Sequence, residues 1–259
     1  MKTEQRKEIP TMTLERRLTA DGCDVRRELP PAGLVGELIE LATAHADALD
    51  IGYTRLHTRN RLWVMGRLAV EMKRWPGMYD TYIIETRVLS FNRLFSERVF
   101  DIIVDGETIG EARTIWTSID ADTRRQADLS DVVADFRSFS DRQPAMAPIA
   151  RIKPLGDSAA RHSGYTFGIT DLDFNGHVTT TRYVELMLNC VSLSEYESMN
   201  LRRFDILFHR EALCGDSVDL MAVKETDDRG RMVFSTELRE NSGSSLHTSA
   251  RFILEKSNE

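Results

Sequence analysis

The sequence predicts an α+β protein in which one unit, a long helix followed by antiparallel strands, occurs twice in tandem. A helical apolar pattern precedes strand-like segments in both halves, in the same order. Residues that correspond between the two halves are also separated by a nearly constant number of positions. Asp80 precedes its counterpart Asp216 by 136 residues, and Ala112 precedes its counterpart Ala250 by 138. We therefore expect a duplicated unit rather than two unrelated domains.

The first unit opens with a predicted helix. Apolar residues recur at spacings of three and four from Leu34 to Leu49, which gives one buried stripe. Pro30 and Pro31 suit the start of this helix, and Gly52 suits its end. Strands are then predicted at 61–72, 81–88, 96–104 and 108–119. The last two flank the dipeptide Asp105-Gly106, which is a strong hairpin signal.

The second unit repeats this order. Val184, Met187 and Val191 form a helical apolar stripe. Strands are predicted after it at 203–208, 217–223, 231–238 and 246–254, with a turn at the sequence DDRG.

A helix wrapped by a curved antiparallel sheet, present twice, fits the hot-dog fold in tandem. Two such units can pair edge to edge, which would cover exposed edge strands and give one pseudo-dimeric double hot dog. The expected divisions are a tail at 1–8, a first hot-dog domain at 9–120, a linker at 121–157 and a second hot-dog domain at 158–259. A short helix is predicted within the linker at 129–139.

Composition and charge exclude several classes of protein. Apolar residues make up 41% of the chain and charged residues 29%, which is ordinary for a globular enzyme. The sequence contains no membrane-spanning apolar run and no secretory signal. The net charge of −7 comes without a basic run, so no nucleic-acid partner is expected. Three widely spaced cysteines favour free thiols and a cytoplasmic location.

The segment DLDFNGH at residues 171–177 carries the clearest chemical signal. It supplies a carboxylate, an amide and an imidazole, and Glu211 follows His177 by 34 residues. These groups suit activation of a water molecule and stabilisation of an oxyanion without a metal. A helix start at this point would also turn free backbone amides toward a pocket.

Three other interpretations start from the same residues. DLDFNG matches the opening of a calcium loop, but Arg182 occupies position twelve, where that loop needs a glutamate. His177, Asp173 and Glu211 could bind a transition metal, but no second histidine stands at helical spacing. Asp171 and Asp173 could cap a helix start, which leaves Glu211 unexplained. We expect no metal and no cofactor, and we expect Asp171 to be structural.

The sequence resembles the acyl-acyl-carrier-protein (acyl-ACP) thioesterases over roughly residues 9–255. DLDFNGHVTTTRYVELML is similar to the family's second-repeat signature, D-x-N-x-H followed by a helix. FHREALCGDSV is similar to the segment that holds the family's essential glutamate, and RLWVMGRLAVEMKRWPGMYDTYIIETRV resembles its first-repeat strands. Plant members often carry a cysteine after that glutamate, where this chain has Ala212, so a cysteine nucleophile is not expected. Without a transit peptide, the resemblance is closer to bacterial members.

The resemblance implies a thiolester hydrolase that converts fatty acyl-ACP to free fatty acid and holo-carrier protein. Glu211 would activate the attacking water or attack the thioester directly. His177 would orient Glu211 or the water and pass a proton toward the leaving thiol. Asn175 would donate to the carbonyl oxygen or help to hold the water, and Asp173 would hold the Asn175 and His177 side chains in place. The first domain would receive the acyl chain. A glutamate facing that tunnel is expected to be partly desolvated.

The implied partner is the acyl carrier protein, which is typically acidic and would dock on a basic rim. Candidates for the rim are Arg124, Arg125, Arg182, Arg202 and Arg203. The expected assembly is a monomeric double hot dog or a homodimer. Open alternatives are an acyl-coenzyme A thioesterase, a hot-dog hydratase with an Asp/His pair, and a non-enzymatic acyl-binding regulator.

Overall fold

The computed structural model describes residues 10–134, 136, 139–156, 159–241 and 245–256. The tail predicted at 1–8 lies outside these residues. The first half forms the following elements: β1 Thr11–Arg17, α1 Pro31–Ala48, α2 Tyr53–His57, β2 Arg61–Met72, β3 Thr81–Phe91, β4 Phe95–Val104 and β5 Glu107–Asp120. A short helix, α3 Ser130–Val133, follows. It lies inside the helix predicted at 129–139, of which residues 135, 137 and 138 are not described.

The second half repeats the order of strand, helices and four further strands. Its elements are β6 Ala160–Thr166, α4 Thr180–Leu188, α5 Leu193–Ser198, β7 Met199–Phe208, β8 Ser217–Thr226, β9 Met232–Glu240 and β10 Leu246–Lys256. All eight predicted strands are present. The edge strands β1 and β6 and the short helices α2 and α5 were not predicted.

The ten strands of the described residues form one continuous antiparallel sheet in the order β1-β3-β4-β5-β2-β7-β10-β9-β8-β6. The halves join where β2 pairs with β7, and Ala69 stands opposite Asp205 at this junction. The repeat offset of 136 makes these two residues counterparts. A pseudo-two-fold axis therefore passes between them, and the predicted edge-to-edge pairing is confirmed.

The hairpin between β4 and β5 forms as predicted. Val104 pairs with Glu107, and the two loop residues, Asp105 and Gly106, have φ angles of 51° and 79°. Positive φ at both positions is typical of the type I′ turn, whose twist matches that of the flanking strands.

The predicted role of Gly52 at the end of α1 is wrong. The helix ends at Ala48, and Asp50 adopts the left-handed conformation with a φ of 56°. The amide of Ile51 bonds the carbonyl of Ala46 at 2.9 Å, which completes a Schellman motif. Gly52 has an ordinary φ of −84°. A Cβ there would lie 1.9 Å from the Asp47 carboxylate, so close approach explains this glycine.

Helices α1 and α4 contact each other on the inner face of the sheet. One apolar cluster includes residues from both halves, among them Leu38, Phe100, Met187 and Phe252. The halves therefore bury a common core.

Residues 139–156 cross the opposite face of the sheet from the first half to the second. Carboxylates on that face accept backbone amides of the crossing segment. Glu111 bonds Ala145, Asp205 bonds Ala150 and Glu237 bonds Leu155, at 2.8–3.0 Å. Arginines on neighbouring strands donate to its carbonyls. The helices and this segment thus cover opposite faces of the sheet.

Candidate active site

A cavity of about 590 Å³ lies where the two halves meet. The first half supplies mainly apolar wall residues from α1, α2 and β2. These include Ile39, Ala42, Leu56, Leu62, Trp63 and Val64. The second half supplies polar groups beside aromatic rings: Asp173, Asn175, His177, Tyr183, Phe208 and Glu211. All four residues predicted as catalytic therefore line one cavity.

The loop that carries three of these residues is organised around the Asp173 carboxylate. Its Oδ1 accepts the backbone amides of Asn175 and His177 at 2.8 and 3.2 Å. The Asp173 amide donates to the His177 carbonyl at 2.7 Å. Gly176 completes the turn with a φ of 79°, a conformation that favours glycine. Asp173 therefore positions its neighbours through the backbone, ahead of α4 rather than at its first turn.

The second carboxylate is brought to this loop by a short connection after β7. The Val178 amide donates to the Ala212 carbonyl at 2.9 Å, next to His177 and Glu211 respectively. The Ala212 amide donates to the Tyr183 hydroxyl on α4 at 2.9 Å. Burial raises the pKa of Tyr183, the Ala212 amide lowers it to a lesser extent, and the charge of Glu211 adds to the rise, so this hydroxyl stays protonated. These bonds place His177 Nδ1 and Glu211 Oε1 3.7 Å apart.

Glu211 also forms an ion pair across the repeat boundary with Arg124. Arg124 lies in the turn after β5 and has a φ of 58°. The Glu211 side chain is 40% exposed, because it lies at the mouth of the cavity. The expected desolvation of this glutamate is therefore not observed. The sequence predicts a carrier-docking role for Arg124 and does not predict this ion pair.

Among the residues that the structure describes, Cys23, Cys190 and Cys214 do not line the cavity. Cys190 is buried, which raises the pKa of its thiol to about 12. Cys214 is exposed outside the cavity wall. Within the described ranges, no group of three or more His, Cys, Asp or Glu residues could hold a metal ion.

Asp171 is held apart from the other polar residues of its segment. It is 1% exposed, and it accepts bonds from the Gly168 amide, the Tyr165 hydroxyl and Arg182 Nε at 2.7–3.2 Å. Burial opposes ionisation of this carboxyl, but the three donors outweigh it and lower its pKa. Asp171 therefore shapes the approach to the loop without lining the cavity.

Of the five arginines predicted for a basic rim, only Arg124 lines the cavity. Arg203 is paired with Glu71 and Asp205 on the face crossed by residues 139–156. It is therefore on the wrong side of the sheet for a rim around the cavity. Arg125 is exposed and directly follows Arg124, which pairs with Glu211.

The aromatic rings of Phe174 and Tyr53 meet at the cavity across the repeat boundary. Their centroids are 5.9 Å apart in an edge-to-face arrangement, and Phe174 is 83% exposed.

Among the described helices, none is both long and apolar enough to cross a membrane.

Comparison with known families matches most of the chain. Residues 17–136 match the acyl-ACP thioesterase N-terminal domain, and residues 156–253 match the acyl-ACP thioesterase C-terminal domain. The oleoyl-acyl carrier protein thioesterase of Coriandrum sativum, a chloroplastic protein, is 28% identical over 239 residues. The alignment covers 81% of this chain and 64% of that protein. The chain thus spans less than two thirds of the length of this relative.

Solved structures resemble the whole fold. An acyl-ACP thioesterase from Bacteroides thetaiotaomicron has a TM-score of 0.85 and 28% identity, and the alignment covers 95% of this chain and 98% of that one. A 12:0-ACP thioesterase from Umbellularia californica has a TM-score of 0.86 at 21% identity, with 95% and 94% covered. The likeness over both halves confirms the predicted double hot dog.

Proposed function

The chain belongs to the acyl-ACP thioesterase family, and from this premise we propose that it hydrolyses fatty acyl-ACP to free fatty acid and holo-carrier protein. The observation that carries the proposal is that the cavity between the halves has apolar walls from one half and a carboxylate, an imidazole and an amide from the other. An acyl chain suits the apolar part, and a thioester suits the polar part.

In the proposed reaction, Glu211 accepts a proton from a water molecule as that water attacks the thioester carbon. The resulting tetrahedral intermediate carries an oxyanion that needs a hydrogen-bond donor. The Asn175 amide supplies that donor. His177, whose Nδ1 lies 3.7 Å from Glu211, orients the base and passes the proton that Glu211 has taken from the water to the sulfur as the carbon–sulfur bond breaks, so that both residues return to their starting protonation states. The products are a carboxylic acid and a free thiol.

Two further residues have positioning roles in this proposal. Asp173 holds the backbone of Asn175 and His177, so that their side chains converge on the mouth of the cavity. Arg124 binds one side of the Glu211 carboxylate and keeps it directed there. Such positioning contributes to rate because misplaced groups react slowly even when all are present.

The acyl carrier protein would reach the site at the same mouth. Arg125 is exposed there, and a positive side chain suits an acidic partner.

We also propose a cytoplasmic location, because Cys23, Cys190 and Cys214 are free thiols, as is usual in reducing compartments. Cell fractionation tests this location.

The function is tested by incubating the protein with acyl-ACP and acyl-coenzyme A thioesters over a range of chain lengths. Thiol and free acid are measured separately. We expect both products in equal amounts from acyl-ACP, with a preferred chain length. Faster turnover of acyl-coenzyme A would favour that substrate class instead. Thiol release no greater than in the absence of protein would refute a thioesterase.

A further inference from the structure

A buried arginine lies in the wall of the cavity and has no part in the proposed hydrolysis. Arg98 is on β4, where alternate residues such as Phe100 and Ile102 face the core and are 0% exposed. Arg98 shares that face and is itself 4% exposed. Its Nη1 donates to His45 Nδ1 at 2.7 Å and to Thr86 Oγ1 at 3.2 Å. A cation therefore occupies a position where the alternation predicts an apolar side chain.

The charge of Arg98 is not balanced by a neighbouring carboxylate among the described residues. Arg87 on the adjacent strand is the contrast, because its Nη1 lies 2.5 Å from the Asp101 carboxylate. Burial lowers the pKa of Arg98 to about 10, so it stays a cation at neutral pH. Removing an unpaired charge from water is unfavourable, and such a residue in a cavity indicates a role in binding.

Two of the three guanidinium nitrogens of Arg98, Nε and Nη2, make no hydrogen bond to the described residues. The side chain nevertheless lines the cavity together with Ser96. A guanidinium presents its donors in a planar fork that matches two oxygen atoms or two lone pairs. The free donors therefore point to a ligand that carries oxygen.

Arg98 is remote from the polar groups at the cavity mouth. The strand order places β5 and β2 between β4 and β7, and Glu211 follows the end of β7. Strands lie about 4.8 Å apart, so three spacings amount to roughly 14 Å across the sheet. Arg98 is level with Ile206 in the register of the sheet, so Glu211 lies five residues further along the chain. An extended chain advances about 1.2 Å per bond, so about twelve atoms would span the separation across the sheet alone.

We propose that Arg98 binds an oxygen-bearing group, a hydroxyl or a carboxylate, on the distal part of the acyl chain. The substrate class would then be oxygenated acyl thioesters rather than plain alkyl ones. This inference rests on the proposed function. A methyl-terminated chain would leave the two free donors against hydrocarbon, whereas an oxygen would accept from them. A carboxylate would also balance the charge.

The test uses carrier thioesters of about twelve carbons that end in methyl, hydroxyl or carboxylate. For the wild type we expect kcat/KM about tenfold or more higher for the oxygenated chains, because a site built for a hydrogen bond rejects the analogue that lacks it. Arg98→Met should abolish the preference while the methyl-terminated chain is still hydrolysed. Arg98→Lys keeps the positive charge but lacks the planar guanidinium, so it should retain part of the preference for oxygenated chains.

Calorimetric binding of the three chains as pantetheine amides, which cannot be hydrolysed by loss of a thiol and carry no carboxylate at the former thioester carbon, gives a second readout that needs no turnover. The wild type should bind the oxygenated chains more tightly, and Arg98→Met should bind all three equally. Equal or better binding of the methyl-terminated amide by the wild type would overturn the proposal, as would a preference that survives in Arg98→Met. Absence of hydrolysis with preferential binding intact would refute the thioesterase function alone. The melting temperature of the variant confirms folding.

Discussion

At the scale of single residues, Asp173 acts on the site through the backbone. Its carboxylate accepts amides from Asn175 and His177, and both side chains line the cavity. A positioning role requires an acceptor oxygen at this place, but it does not require a negative charge. Asparagine can provide the oxygen, whereas alanine cannot.

We therefore expect Asp173→Ala to lower kcat by on the order of tenfold or more, since loss of loop order misplaces the reacting groups. Asp173→Asn should retain most of the activity. Steady-state kinetics on acyl-ACP, with far-ultraviolet circular dichroism as the folding control, separates the two variants. Equal loss in both would assign Asp173 a role that depends on its charge.

Three of the four proposed catalytic residues form a short motif in the sequence, and the family resemblance adds Glu211, so their meeting at one cavity could be predicted. Two contacts at the same cavity could not. Arg124 pairs with Glu211 although 86 residues lie between them in the chain, and no local pattern encodes such a pairing. In the sequence, Arg98 is simply one charged residue in a predicted strand. Its burial beside His45 depends on the packing of α1 against β4.

At the scale of elements, two tight turns use glycine in the same way for different purposes. Gly106 in the β4–β5 hairpin and Gly176 in the catalytic loop both have a φ of 79°. A Cβ would meet no atom within 4 Å at either position. Substitution by alanine therefore introduces backbone strain without a clash, and the turns differ only in their place in the molecule.

We expect Gly106→Ala and Gly176→Ala each to lower the free energy of unfolding by about 1–2 kcal/mol, the cost of the left-handed conformation for a residue with a Cβ. Only Gly176→Ala should also lower kcat, by on the order of tenfold, because the catalytic loop shifts. Urea unfolding and acyl-ACP hydrolysis measure the two effects. Comparable loss of kcat in Gly106→Ala would contradict the specific role of the catalytic loop.

The eight inner strands could be predicted because burial imposes apolar alternation on them and the hairpin dipeptide marks one turn. The edge strands β1 and β6 escaped prediction for a physical reason. Six of the seven residues of β6 are exposed, so its place depends on backbone hydrogen bonds to β8. Backbone hydrogen bonds do not depend on the type of side chain, so the sequence pattern does not reveal them.

At the scale of the whole molecule, the junction of β2 and β7 holds the two halves in one sheet. Asp205 lies at this junction and is 0% exposed. It pairs with Arg203 at 2.8 Å and accepts the Ala150 amide at 2.8 Å. One carboxylate thus connects the sheet to the segment that crosses its outer face.

We expect Asp205→Ala to lower the free energy of unfolding by about 2–4 kcal/mol, because the Ala150 amide loses its acceptor and Arg203 keeps only the more exposed Glu71 as a carboxylate partner. The control is Asp219→Ala, which breaks the more exposed pair with Arg161 and should cost about 0–1 kcal/mol. Urea unfolding followed by tryptophan fluorescence measures both. Similar midpoints for the two variants would show that the junction is not critical to stability.

The duplication and the pairing of its halves could be predicted because corresponding residues of the two halves are separated by a nearly constant number of positions in the sequence. The shape of the cavity could not. Its wall combines α1, β2 and the Asp173–Glu211 region, and their separation depends on how α1 and α4 pack over the common sheet. The division into receptor and catalytic halves remains a prediction.

The central claim is that Glu211 activates water for thioester hydrolysis at this cavity, and Glu211→Gln tests it most directly. The matched control is Glu185→Gln, since Glu185 also pairs with an arginine and is 47% exposed, against 40% for Glu211, but does not line the cavity. We predict that kcat on acyl-ACP falls about 10²–10⁴-fold in Glu211→Gln, the usual loss when a general base is removed. Glu185→Gln should stay within about twofold of the wild type, as expected for an exposed ion pair. Equal rates in wild type and both variants would contradict the account.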